Sequence, residues 1–110
     1  MRIRKLIKIC VKKGLGGVSI TDHNTLRGSL TALKEARAYE GFMVIPGEEV
    51  STECGDLLAF FIQEEIKSHE ALEVIDEVKE QDGLIVIAHP YKYVRAYPPE
   101  LLKRVDGIEI

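Results

Sequence analysis

Apolar positions fall into blocks whose period changes along the chain. Ile3, Leu6, Ile7, Cys10 and Val11 stand at i, i+3, i+4, i+7 and i+8, which predicts one amphipathic helix over residues 2–13. Gly14, Gly16 and Gly17 stop it, with Gly14 placed for a left-handed cap. Residues 18–21 switch to a β-type run. Residues 25–40 return to helix, with Leu26, Leu30 and Leu33 on one side, Asn24 or Thr25 as cap and Gly41 as stop. Residues 42–45 predict a second strand, followed by Pro46-Gly47-Glu48-Glu49 as a connecting segment. Residues 50–52 continue in extended form, 53–56 are turn-like and 57–62 form an apolar strand. This pair predicts a hairpin that folds Asp56 back beside Glu49 or Ser51. Ser68 is expected to cap a helix over 69–81, with Ala71, Val74, Ile75 and Val78 inward and Gly83 closing it. Residues 84–88 read as a strand covered on both faces. Pro98-Pro99 opens a short helix through Arg104, and residues 106–110 form a last strand.

The order α-β-α-β-β-α-β-α-β predicts an α/β domain whose strands are mostly parallel, with right-handed crossovers and one hairpin. Three predicted strands end in polar groups: Asp22-His23, Gly47-Glu48-Glu49 and His89-Pro90. Strand ends in a parallel sheet lie on one edge, so these distant residues can converge. Imidazole nitrogens and carboxylate oxygens there suit Zn²⁺, Mn²⁺ or Fe²⁺. Each residue also has a plainer reading. Asp22 could cap the second helix, Glu48 and Glu49 could be loop charges, and His89 could simply end a strand. His69 reads as a surface residue in the first turn of a helix.

Length and charge narrow the picture further. The 110 residues suffice for one modest domain but fall short of the roughly 250 of a complete (β/α)8 barrel. A formal net charge of −3 gives no broad electrostatic reason to bind nucleic acid or membrane. Arg2, Arg4, Lys5, Lys8, Lys12 and Lys13 read as a solvated helix face. Cys10 and Cys54 form no C-x-x-C pair and are read as ordinary reduced thiols rather than ligands. No apolar run is long enough for a signal peptide or membrane span, so the expected location is cytoplasmic.

Residues 17–25, Gly17-Val18-Ser19-Ile20-Thr21-Asp22-His23-Asn24-Thr25, resemble the second motif of the PHP (polymerase and histidinol phosphatase) family. Pro46-Gly47-Glu48-Glu49-Val50-Ser51 resembles the third motif, and Ala88-His89-Pro90 a later histidine motif. The resemblance implies a distorted (β/α)7 barrel, present here in part, with a cluster of divalent metals at the strand C-terminal ends. It implies a phosphoesterase that uses metal-activated water on a phosphorylated small molecule or a nucleotide or nucleic-acid end. His23, Glu49 and His89 would then be metal ligands, with Glu49 bridging. Asp22 would be the catalytic-site acid that supports His23 or its neighbours. Asp56 stands near where many relatives carry a histidine and could serve as an oxygen ligand. The family's opening His-x-His and closing Asp-x-His motifs have no counterpart in these residues, so residues 1–110 read as one incomplete PHP-like domain. The alternative is a catalytically inactive remnant that acts as a binding or assembly module, with homo-oligomers formed through exposed sheet edges.

Overall fold

The longest strand runs straight through the segment that the pattern assigns to a connection. In the computed structural model, which describes residues 2–90 and 97–109, β2 spans Met43–Thr52 without interruption. Pattern reading breaks it at Pro46-Gly47-Glu48-Glu49 because that stretch lacks apolar alternation. The ladder tolerates Pro46, whose carbonyl accepts the Phe61 N–H at 2.7 Å.

The other elements are α1 (Ile3–Lys12), β1 (Gly17–His23), α2 (Arg27–Glu35), β3 (Gly55–Phe60), α3 (Ala71–Glu80), β4 (Leu84–Ile87), α4 (Pro99–Arg104) and β5 (Gly107–Ile108). A 3-10 turn, Ala36–Ala38, follows α2. α1 ends as expected: Gly14 adopts a φ of +80° and Leu15 N–H reaches back to Cys10 C=O. Its lysines and arginines are exposed. β3 ends at Phe60, two residues early, because Phe61 turns into the left-handed region at φ +64°.

Spatial order follows chain order, β1-β2-β3-β4-β5. The expectation of a mostly parallel sheet needs correction. The sheet is mixed: β1/β2 and β4/β5 pair parallel, whereas β2/β3 and β3/β4 pair antiparallel. The tight β2–β3 hairpin reverses β3, which then lies between two strands of opposite sense. β1, β2, β4 and β5 still point the same way, so the polar groups toward their C-terminal ends share an edge, although Glu48 and Glu49 lie within β2 and not at its end. Register places Asp56 opposite Ser51, and Leu58 opposite Glu49.

Helix α2 differs most from its expected form. It is shorter than residues 25–40, and neither Asn24 nor Thr25 is its N-cap; that position falls to Leu26. Leu30 and Leu33 are exposed, and only Leu26 of the expected stripe is buried. The inward face is instead Gly28, Ser29 and Ala32, followed by Ala36. Small residues let the helix axis come close to the sheet, where large ones would hold it off. A Cβ on Gly28 would collide with the Asp22 carboxylate. The Ser29 hydroxyl accepts from Gly47 N–H at 2.9 Å and lies 2.6 Å from Ile20 C=O, joining the helix to β1 and β2.

Helix α3 begins at Ala71 with Glu70, not Ser68, as its N-cap. The Ala71 N–H donates to the Glu53 carboxylate at 2.7 Å, so the hairpin turn caps the helix. Side chains of α3 in turn hold the preceding connection: Gln81 accepts from the N–H groups of Gln63 and Glu64, and Glu77 from those of Lys67 and Ser68.

Two apolar clusters lie on one side of the sheet. Ile7, Ala32, Ala36 and Val44 bring α1 and α2 onto β1 and β2. Val50, Leu57, Ala59, Ile85 and Ile87 receive Val74, Ile75 and Val78 of α3 and Leu101 of α4. All four described helices therefore pack on the same face. Strand alternation sends the neighbouring side chains, His23, Glu49, Asp56 and Leu58 among them, to the opposite face. No helix among the described residues is long and apolar enough to cross a membrane.

Candidate metal centre

The last residue of β1 and the seventh of β2 stand side by side: His23 is the register partner of Glu49. Asn24 fixes this junction. It adopts a φ of +55°, a conformation asparagine tolerates better than most residues. Its N–H donates to Glu49 C=O at 2.7 Å, and its side-chain carbonyl accepts from Ser51 N–H at 3.0 Å. The turn after His23 is thus tied to β2 at Glu49 and at Ser51. Asn24→Ala is expected to cost about 1–2 kcal/mol from the left-handed backbone and the lost hydrogen bond. Asn24→Gly should cost less, since glycine accepts the backbone conformation. Urea denaturation of the three proteins checks the order.

Glu49 is buried, at 6% exposure, although it carries a carboxylate. Its two oxygens diverge. Oε2 forms an ion-pair contact with His23 Nε2, and Oε1 lies 3.0 Å from His89 Nε2. Oε2 is enclosed without a hydrogen bond of proper geometry. Asp56, at 5% exposure, sets Oδ2 at 3.9 Å from both imidazole nitrogens. His23, Glu49 and Asp56 each offer a ligand atom within 4.8 Å of the others. Ligand atoms about 2.1 Å from a tetrahedral ion lie roughly 3.4 Å apart, so a group gathered this closely can converge on one divalent cation. Two carboxylates buried on one face also call for positive charge there.

His89 reaches the cluster from the far end of the sheet. It follows β4 and turns at φ +47°, while Ala88 N–H donates to Asp56 C=O at 3.0 Å. The His89 N–H donates to the Glu109 carboxylate at 3.0 Å. Four of the five residues singled out by sequence, His23, Glu49, Asp56 and His89, are thus brought together. Asp22 is not. Its carboxylate lies on the helix-covered face, against Gly28 in the first turn of α2, where the helix N-terminus favours negative charge. His69 is exposed, ahead of α3 rather than in it, with Nδ1 2.9 Å from Ser51 C=O. Neither Cys10 nor Cys54 forms a disulfide among the described residues, and neither belongs to the cluster.

Glu48 shows what alternation does to adjacent acids. It is fully buried on the helix side and accepts Ile66 N–H at 2.8 Å through Oε1, while Oε2 has no hydrogen-bond partner among the described residues. Burial pushes its carboxyl group above the usual carboxylate range, and the Ile66 N–H offsets this only in part. A carboxyl group with a raised folded pKa holds its proton more tightly in the folded state. Its contribution is therefore lost as pH climbs from the ordinary value through the raised one. Glu48→Gln is expected to melt several degrees higher than the parent at pH 8 and to match it near pH 4. Thermal melts at the two pH values check the crossover.

No family model matches the chain. It is 36% identical over 110 residues to the uncharacterized protein MJ1587 of Methanocaldococcus jannaschii, covering 97% of this chain and 64% of that one. It is 38% identical over 115 residues to MJ0417 of the same organism, covering 96% of this chain and 43% of the relative. The chain thus spans less than two thirds of the length of these curated relatives. Among solved structures it resembles a Bacteroides vulgatus two-domain protein containing a predicted PHP-like metal-dependent phosphoesterase. The TM-score is 0.75 at 19% identity, with 96% of this chain and 38% of that one covered. A protein of Bifidobacterium adolescentis assigned as a metal-dependent phosphoesterase matches with the same TM-score and identity, over 97% of this chain and 71% of its own. The fold is PHP-like. In the PHP-like sheet of this chain, the candidate ligands come from the end of β1, the second half of β2, the start of β3 and the residues after β4.

Sequence reading passed over Ser29, Asn24 as a strand tie, and Glu109. Ser29 carried one usable signal: a Gly-Ser pair on the inner face of a helix marks close approach to a sheet. Glu109 carried none, since its role depends on a contact 20 residues away.

Proposed function

We propose that the protein is a metal-dependent phosphoester hydrolase. The observation that carries this reading is Glu49: a buried carboxylate that turns one oxygen to each of two histidines from separate strands, with Asp56 closing the group. His23, Glu49, Asp56 and His89 would hold a divalent cation such as Zn²⁺, Mn²⁺ or Fe²⁺. Such an ion, when bound, supplies activated water and offsets charge on phosphate oxygens. His23 is the most exposed of the four and stands where a substrate would approach. Asp22 has no direct part in this reading and acts by seating α2. The substrate class is a phosphorylated small molecule or a nucleotide or nucleic-acid end, a reading supported by what the two solved neighbours are said to be. Among the described residues, all four helices pack on the face opposite the ligands, which supports the sheet as one wall of a (β/α)7 barrel.

Metal content after dialysis and hydrolysis of a chromogenic phosphate ester test the proposal. Full activity in a His23→Ala, Glu49→Ala double variant would overturn these assignments.

The same sheet supports a second reading, as an inactive binding or assembly module. Met43, Leu84, Phe61 and Ile108 are large apolar residues left exposed, and β1 and β5 lie at the sheet edges. Light scattering separates the readings: a monomer at high concentration that hydrolyses the ester excludes the module.

A further inference from the structure

We infer that Glu109 is the positioning residue for His89, resting on the reading of His89 as a metal ligand. Ile87 is the last residue of β4, and two residues later the backbone of His89 adopts a φ of +47°. A positive φ is uncommon for a non-glycine residue, even for histidine, which tolerates it better than most, so contacts that hold the backbone there matter. The structure shows two holds. Ala88 N–H donates to Asp56 C=O at 3.0 Å, which fixes the approach from the β3 side. His89 N–H donates to Glu109 Oε1 at 3.0 Å, which fixes it from the β5 side. Glu109 is itself anchored, because its own N–H donates to Ile87 C=O at 2.9 Å and continues the β4–β5 ladder.

The same oxygen, Oε1 of Glu109, lies 3.4 Å from His89 Nδ1. The opposite ring nitrogen, Nε2, faces Glu49 Oε1 at 3.0 Å and Asp56 Oδ2 at 3.9 Å. One imidazole therefore stands between an outer carboxylate and the cluster. A carboxylate at Nδ1 favours the proton on that nitrogen. The lone pair of Nε2 is then free to face a cation, and the ring is fixed in orientation. Glu109 acts twice, through the backbone that sets where the ring starts and through the ring nitrogen that sets which atom it presents.

Calorimetric titration with Zn²⁺ alone tests this in the parent, Glu109→Ala and Glu109→Gln. Glu109→Ala is expected to weaken Zn²⁺ affinity about tenfold or more, the usual range for loss of such a supporting carboxylate. Glu109→Gln keeps an oxygen acceptor and should recover part of the loss. Nitrogen-15 NMR of the Zn²⁺-loaded proteins supplies a readout that general destabilisation would not move. The His89 Nδ1–H signal should be present in the parent and Glu109→Gln and lost in Glu109→Ala. Equal affinity and an unchanged ring signal in Glu109→Ala would overturn the inference. Should the parent bind no Zn²⁺, the metal reading fails instead. Hydrogen exchange of the His89 amide in the metal-free proteins then decides the role of Glu109. Faster exchange in Glu109→Ala than in the parent supports it, and equal exchange overturns it.

Discussion

Glu49→Gln should abolish stoichiometric binding of divalent metal and lower ester hydrolysis at least a hundredfold, while leaving the protein folded. The substitution is nearly isosteric and removes one negative charge. Two features of the site make the loss large. Glu49 turns one oxygen to His23 and the other to His89, closer to each than Asp56 Oδ2 at 3.9 Å from both, so both halves of the ligand set depend on it. It is also buried, so no water-exposed conformer of another side chain can take its place. An amide offers one oxygen in place of two and places an NH₂ against one of the imidazoles. The fold should survive because the buried charge costs free energy without its cation. Calorimetric titration with Mn²⁺ or Zn²⁺, read beside a thermal melt of the metal-free proteins, checks both halves. Retained stoichiometric binding with retained hydrolysis would remove Glu49 from the centre. Glu48→Gln, one residue away, should bind metal like the parent, because its side chain lies on the helix face.

That contrast shows how far the sequence carries. Periodicity finds α1 and the inward face of α3 because their apolar residues alone decide which side is buried. The hairpin was also readable, from two extended runs around a glycine-containing turn. The strand character of Pro46-Gly47-Glu48-Glu49 was not, because two buried carboxylates replace the apolar alternation that marks a strand. The site was legible as residues and not as geometry. Asp22 and His23 are adjacent in sequence and look like one unit. A strand places them on opposite faces, so His23 joins Glu49 whereas Asp22 seats a helix. The contribution of Asp56 required the register of the hairpin, and that of Glu109 required β5 to pair with β4. Both are facts of tertiary structure.

Ser29 is where the close approach of helix to sheet can be measured. Ser29→Ala should destabilise the protein by about 2 kcal/mol and Ser29→Val by roughly twice that. The hydroxyl is fully buried, accepts the Gly47 N–H and sits within hydrogen-bond distance of both Ile20 C=O and Gly47 C=O. Alanine removes the hydroxyl and leaves those backbone groups without it in a place water does not reach. An unmet buried donor costs about 1–3 kcal/mol. Valine adds a second penalty: its methyl groups enter the junction where Gly28 already lies against Asp22 and Ile20. Overpacking of such a site costs about 1–3 kcal/mol. Neither change touches a ligand, yet both act on the centre. Gly47 is two residues before Glu49, and Ile20 three before His23, so the hydroxyl clamps together the two strands that carry those ligands. Urea denaturation gives the stability loss, and Zn²⁺ titration of the still-folded Ser29→Ala gives the effect on the centre. A stability equal to the parent in Ser29→Ala would show that the hydroxyl is replaceable. A normal Zn²⁺ affinity despite a clear loss of stability would show that the junction supports the fold without setting the spacing of His23 and Glu49.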